Sequence, residues 1–184
     1  FDVAASGLEL LIIDTQVHHE LVDGGYASRR KACESVAKKL GMISLRDVTI
    51  EELGRSKEIL SAEEFKRAHH VITEIARVQL AISALSSGDF AEFGHLISQT
   101  HISLRDDFEV SCAELNCAVD TALASGALGA RMVGGGFGGS AIALAPQSQM
   151  ANIQNEIDKS FIAAGFMAPR FFTSLPSAGA SVTE

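Results

Sequence analysis

The chain has 184 residues, of which 47% are hydrophobic, and 23 acidic side chains against 15 basic ones leave a formal net charge of −8. That length suffices for a domain with a real core. The acidic balance argues against a nucleic-acid partner, whose phosphates require clustered Lys and Arg, and no apolar run approaches the ~20 residues that would imply a membrane span.

Leu8 to Thr15 is nearly continuous aliphatic sequence and reads as a central strand buried on both faces. His18 to Gly25 is a polar connection. A helix is predicted from Ala27 to Leu40, with Val36 and Leu40 on its apolar face and Gly41 as its stop; Arg29-Arg30-Lys31 is its solvated start. Leu45 to Val48 is short and irregular, and a helical turn covers Glu51 to Leu53. Ser61-Ala62-Glu63-Glu64 has capping-box spacing and opens a helix to Ser86, on which Val71, Ile75, Val78 and Ile82 share one face. Asp89 caps the next helix, to Leu104; Ser111 caps a third, through Ala124, and Gly126 stops it. Ala130 to Val133 and Ala141 to Ala145 are strands flanking a glycine run. Gln147 to Gly165 is amphipathic, with Ile153, Ile157 and Phe161 every fourth residue. Arg170 to Thr173 reads as a last strand and Pro176 to Glu184 as a loose tail. The order strand, helices, strand, strand, helix, strand predicts one α+β domain over 1–184, an antiparallel sheet covered by helices with a helix-rich insertion before the hairpin.

Five of the six residues from Gly134 to Gly139 are glycine. Such density implies positive φ, very close backbone approach, or both. Bare amides in such a loop suit an oxyanion or polar ligand; a tight hairpin without a ligand satisfies the same composition. A strand follows the run, so it is not a dinucleotide fingerprint, and no Gly-Lys-Ser/Thr closes it as a Walker loop. His18-His19, His69-His70, His95 and His101 lack zinc-ligand spacing and read as surface or half-buried histidines. Cys33, Cys112 and Cys117 are odd in number without CxxC spacing, which suggests free thiols in a reducing compartment. No signal-peptide pattern opens the chain, and Phe1 in place of Met suggests a processed or excised segment.

Gly129 to Gly139, with Arg131-Met132 before the glycines, resembles the third motif of the GHMP small-molecule kinases. Other segments resemble the galactokinase branch of that family in order and spacing. They are His19 to Arg30 with Gly25-Tyr26-Ala27-Ser28-Arg29-Arg30, then Leu45-Arg46-Asp47, and Arg67-Ala68-His69-His70-Val71 with Glu74. The most distinctive is Ser103-Leu104-Arg105-Asp106-Asp107-Phe108-Glu109-Val110-Ser111-Cys112 with Glu114-Leu115. Gly24-Gly25 stands where relatives often have other residues, and Ser140 where Cys is common. The resemblance covers nearly the whole chain but only about half of such an enzyme. The family's sugar motif (Gly-Glu-His-Thr-Asp), ATP loop, Mg²⁺ ligands and catalytic Asp have no counterpart here.

The resemblance implies a ferredoxin-like C-terminal lobe of a cytoplasmic kinase that uses ATP and Mg²⁺ to phosphorylate galactose at its anomeric hydroxyl. It implies that Tyr26, just before a helix, hydrogen-bonds the sugar, since a phenol both donates and accepts, and that the Gly135 backbone approaches it. Gly134, Gly136, Gly138 and Gly139 would shape the loop and press it against the ATP loop of the other lobe. Arg105 and Asp106-Asp107 are expected to serve structure. ATP, Mg²⁺ and the catalytic base are expected on an N-terminal lobe, which joins galactose as a partner. This chain alone is expected to be inactive, with no catalytic residue or metal ligand of its own and an exposed apolar face that invites self-association. A kinase for N-acetylgalactosamine and a non-catalytic sugar sensor that binds a transcriptional repressor are the alternatives.

Overall fold

The computed structural model describes residues 3–17 and 24–175; His18, His19 and the tail from Pro176 lie outside them. Four strands, β1 (Leu8–Asp14), β2 (Gly129–Met132), β3 (Ser140–Pro146) and β4 (Arg170–Ser174), pair antiparallel in the order β2-β3-β1-β4. β1 is central, with Leu11 opposite Ala143 on one side and Thr173 on the other. One face of the sheet is covered by α5 (Ala113–Ala124) and α6 (Met150–Ala164). Ile153, Ile157 and Phe161 of α6 are fully buried there against Leu11, Ile13 and Met132. Each such side chain contributes about 1.5–3 kcal/mol by leaving water. Ala141, Ala143 and Ala145 of β3 have small side chains on that face, so the helices can approach closely.

The reading of β1 as buried on both faces is corrected. Leu11 and Ile13 are sealed, whereas Leu10 and Ile12 are half-buried. The helices are concentrated on one face, and the opposite face is covered mainly near Leu8 and Leu144, by Val3 and Ile97.

A second core lies among α1 (Gly25–Lys39), α2 (Ile50–Arg55) and α3 (Ala62–Ser87), built on Val36, Leu53, Ala68 and Ile72. Ser61 and Glu64 form the expected capping box at the start of α3. Thr49 and Glu52 form another at α2, at the same spacing, which the sequence reading passed over. Gly88, at φ 74°, closes α3. The stripe Val71, Ile75, Val78 and Ile82 does not form the core side of α3: Val78 is 53% and Ile82 49% exposed. The inward positions are Arg67, Ala68, His70, Ile72 and Ala84, because the first turns of α3 face a polar cluster described below.

Glu64 also reaches beyond its own cap. Its carboxylate accepts from Lys39 Nζ (2.7 Å) and Ser35 Oγ (2.8 Å) of α1 as well as from the Ser61 amide (2.9 Å). Lys39 first, then the Ser61 amide and Ser35, push its pKa down from 4.5 to about 2. A carboxyl depressed on folding stabilises above its unfolded pKa, and that stability is lost as pH falls through the folded one. Glu64→Gln keeps the capping geometry and removes the charge. The variant is expected to be about 1 kcal/mol less stable than the parent at pH 7, after allowing for solvent screening. The gap should close between pH 4.5 and 2, as urea midpoints across that range would show.

β2 is an edge strand, and α4 (Phe90–Asp106) covers it. The Ala130 amide donates to Ser98 Oγ (3.2 Å) and the Met132 amide to His101 Nδ1 (3.2 Å). Side chains three apart on the helix thus meet alternate residues of the strand and satisfy its outward amides. His101 is 1% exposed, and burial lowers its pKa, so the ring is neutral with Nδ1 as acceptor. The close approach rests on two glycines. A Cβ on Gly129 would stand 2.5 Å from the Gly94 carbonyl carbon, and one on Gly94 would stand 2.5 Å from the Leu128 carbonyl carbon.

Candidate functional site

Residues 133–139 join β2 to β3 and hold the glycine run. Gly134, Gly136, Gly138 and Gly139 all have positive φ, at 83°, 87°, 138° and 78°. The loop is seated on both sides by this chain itself. Toward β1, the amide and hydroxyl of Thr15 both donate to the Gly139 carbonyl (3.0 and 2.7 Å), and the Gly139 amide donates to Val17 O (3.0 Å). A Cβ on Gly138 would lie 2.7 Å from Val17 Cγ1. Toward α5, the Phe137 amide donates to Val110 O, and a Cβ on Gly136 would lie 2.6 Å from Val110 Cβ. Gly134 and Gly135 differ from these. Both are exposed, neither has a neighbour where a Cβ would go, and Gly135 has no positive φ. Gly135 is a glycine that the described residues of this chain do not require.

Phe137 is the one side chain in the run. It is left-handed at φ 64°, and its ring lies over Gly25, where a Cβ would stand 2.8 Å from Cζ. The loop therefore rests on the first turn of α1. Tyr26 lies within that turn rather than ahead of the helix, because α1 begins at Gly25 behind a left-handed Gly24. Its side chain is 67% exposed. The structure thus brings Tyr26 and the glycine loop to one place, from positions more than a hundred residues apart.

The segment 103–110 locks this place together. Arg67 is 3% exposed; its guanidinium donates to the Asp107 carbonyl and to Glu109 Oε2 (2.7 Å), and this pairing is the largest cause holding the Glu109 carboxyl below its ordinary range. His69 Nδ1 meets Asp107 Oδ2 (3.0 Å). His70 Nδ1 meets Ser103 Oγ (3.0 Å), and its ring stacks on Phe108 at 4.4 Å. Burial pushes the pKa of His70 down to about 4, so it is neutral at physiological pH. Arg105 pairs with Asp106 (2.8 Å). Arg105 and Asp106 thus make an ion pair, and Asp107 accepts contacts from His69 and Ser103. Ser111 is not the cap of α5: Cys112 occupies that position, and the Ser111 hydroxyl donates to Asn116 Oδ1 (2.7 Å).

The site offers an exposed phenol and a shaped, partly bare backbone. It suits hydrogen bonding to a polar ligand rather than proton transfer. Among the described residues, no three His, Cys, Asp or Glu side chains gather as metal ligands, and no helix is long and apolar enough to cross a membrane.

Residues 81–163 match the family model for the GHMP kinases C terminal. The galactokinase of Streptomyces coelicolor is 49% identical over 182 residues, 98% of this chain and 47% of that protein. The similarity is to the C-terminal domain of the GHMP kinases and to galactokinases. The galactokinase of Streptomyces lividans is 45% identical over 98% of the chain and 46% of its own length. The crystal structure of Lactococcus lactis galactokinase complexed with galactose superposes with a TM-score of 0.83 at 30% identity, covering 91% of this chain and 45% of that one. The chain thus spans about half the length of the curated galactokinases it matches. The expected α+β architecture is present, and Val110, at the end of the segment 103–110, seats the glycine loop on the side away from β1.

Proposed function

We propose that this chain is the sugar-contacting half of a galactokinase, which transfers the γ-phosphoryl of ATP to the anomeric hydroxyl of galactose. The observation that carries the reading is Gly135. It is exposed, a Cβ on it would meet nothing among the described residues, and its loop rests through Phe137 on Gly25, the residue before the exposed Tyr26. A residue kept bare without a demand from its own fold fits a close approach by something else. In this reading the Gly135 backbone and the Tyr26 hydroxyl meet the sugar, while Gly134, Gly136, Gly138 and Gly139 set the path of the loop. Likeness to galactokinases along 98% of the chain supports galactose as the substrate.

The chemistry itself is assigned elsewhere. ATP is the phosphoryl donor, and phosphoryl transfer is driven by positioning and by charge stabilisation at the transferred group. In this reading the metal, the ATP phosphates and the catalytic base belong to an N-terminal half. Three unpaired cysteines suit a cytoplasmic setting.

The test mixes this chain with a separately made N-terminal half of the Streptomyces coelicolor galactokinase, adds galactose, ATP and Mg²⁺, and follows galactose 1-phosphate by NMR. Product is expected from the mixture and from neither half alone. Turnover by the chain alone, or none from a mixture that forms a complex, would overturn the reading. N-acetylgalactosamine run in parallel decides between the two sugars.

A further inference from the structure

We propose that Arg29 and Phe137 are positioning residues that hold Tyr26 in register with the glycine loop. Three observations meet here. First, a bulky residue is strained at φ 64°, and Phe137 stands there amid glycines that could adopt it freely. The residue is 38% exposed, so it is not a core side chain. Second, that ring rests on the bare backbone of Gly25, the residue before Tyr26. Third, Arg29 closes the circuit. Its guanidinium lies 5.3 Å from the Phe137 centroid and donates to three carbonyls: Gly25 (3.3 Å), Phe108 (3.2 Å) and Glu109 (2.8 Å).

The next carbonyl along, that of Val110, accepts the Phe137 amide. The loop, the first turn of α1 and the segment 108–110 are therefore tied by one planar cation and one ring. Glu109, at φ 53°, is a second left-handed residue without a glycine's freedom in the same circuit. Strain of this kind persists where the surroundings over-determine it. Lysine could keep the charge but could not present three fixed donors together.

The consequence for galactose rests on the reading above; the placement of Tyr26 does not. Tyr26 is the single tyrosine of the chain, so incorporated 3-fluorotyrosine gives one ¹⁹F resonance. Two variants test the brace. Phe137→Gly removes the ring while relieving the backbone, and Arg29→Lys removes the fork. Both are expected to move the Tyr26 resonance toward that of free fluorotyrosine and to narrow it, with cooperative unfolding retained. In the two-half mixture, both should raise KM for galactose at least about tenfold and leave kcat within a few-fold. A Tyr26 resonance unchanged in both folded variants overturns the proposal, whatever happens to their thermal midpoints. If the unmutated mixture is silent, the galactose reading fails and the resonance still decides the brace.

Discussion

Gly129→Ala and Gly94→Ala are each expected to destabilise the chain by about 3 kcal/mol or more, a fall of roughly 6–12 °C in thermal midpoint. The added methyl meets backbone in both cases: the Gly94 carbonyl group in the first, the Leu128 carbonyl group in the second. Backbone cannot rotate aside as a side chain does. α4 and β2 must separate, and separation stretches the bonds from Ala130 to Ser98 and from Met132 to His101 that finish the edge of the sheet. A buried amide left without an acceptor costs a further ~1–3 kcal/mol. Because the two glycines share one contact, the double variant should lose less than the sum of the singles, a non-additivity that marks direct coupling. Urea unfolding of the four proteins checks this. A midpoint unchanged in either single variant would mean that the helix and strand have slack which the geometry denies.

The sequence reading succeeded where the signal was local. The positions of the strands, the capping box at Ser61, the fourth-residue repeat of α6 and the glycine hairpin are each encoded within a dozen residues, and the structure keeps all of them. It missed what depends on partners far along the chain. An apolar repeat such as Ile75, Val78 and Ile82 says that a helix has a face, not what covers it. Here Arg67 and His70 take the inward side to hold the segment 103–108. His101 looked like a solitary histidine; its role depends on an edge strand thirty-one positions away.

The site shows the same division. Tyr26 and the glycine run could be named from the resemblance, but not the means that bring them together. Gly25 is required by a ring at position 137, and Arg29 reads as one of three basic residues on a solvated helix start until its carbonyl partners are seen.

Gly136→Ala and Gly135→Ala should separate structure from function within two adjacent positions. At 136 the methyl meets the Val110 carbonyl and Cβ, and φ of 87° disfavours an L-residue. The two effects together cost about 2–4 kcal/mol locally. The loss in global stability should be smaller, about 2 kcal/mol, because the loop can undock before the sheet yields and the cost is capped at that of undocking. Gly136→Ala therefore lowers the unfolding midpoint and raises hydrogen exchange at the Phe137 amide, whose bond to Val110 is lost. At 135 there is space for a methyl and no positive φ, so stability should stay within about 0.5 kcal/mol of the parent. Turnover of galactose in the two-half mixture should nevertheless fall about a hundredfold, since a methyl interposed between backbone and sugar displaces the reacting hydroxyl by about an ångström. Unchanged turnover in Gly135→Ala would remove the reason given for that glycine, and with it the placement of the sugar against this loop.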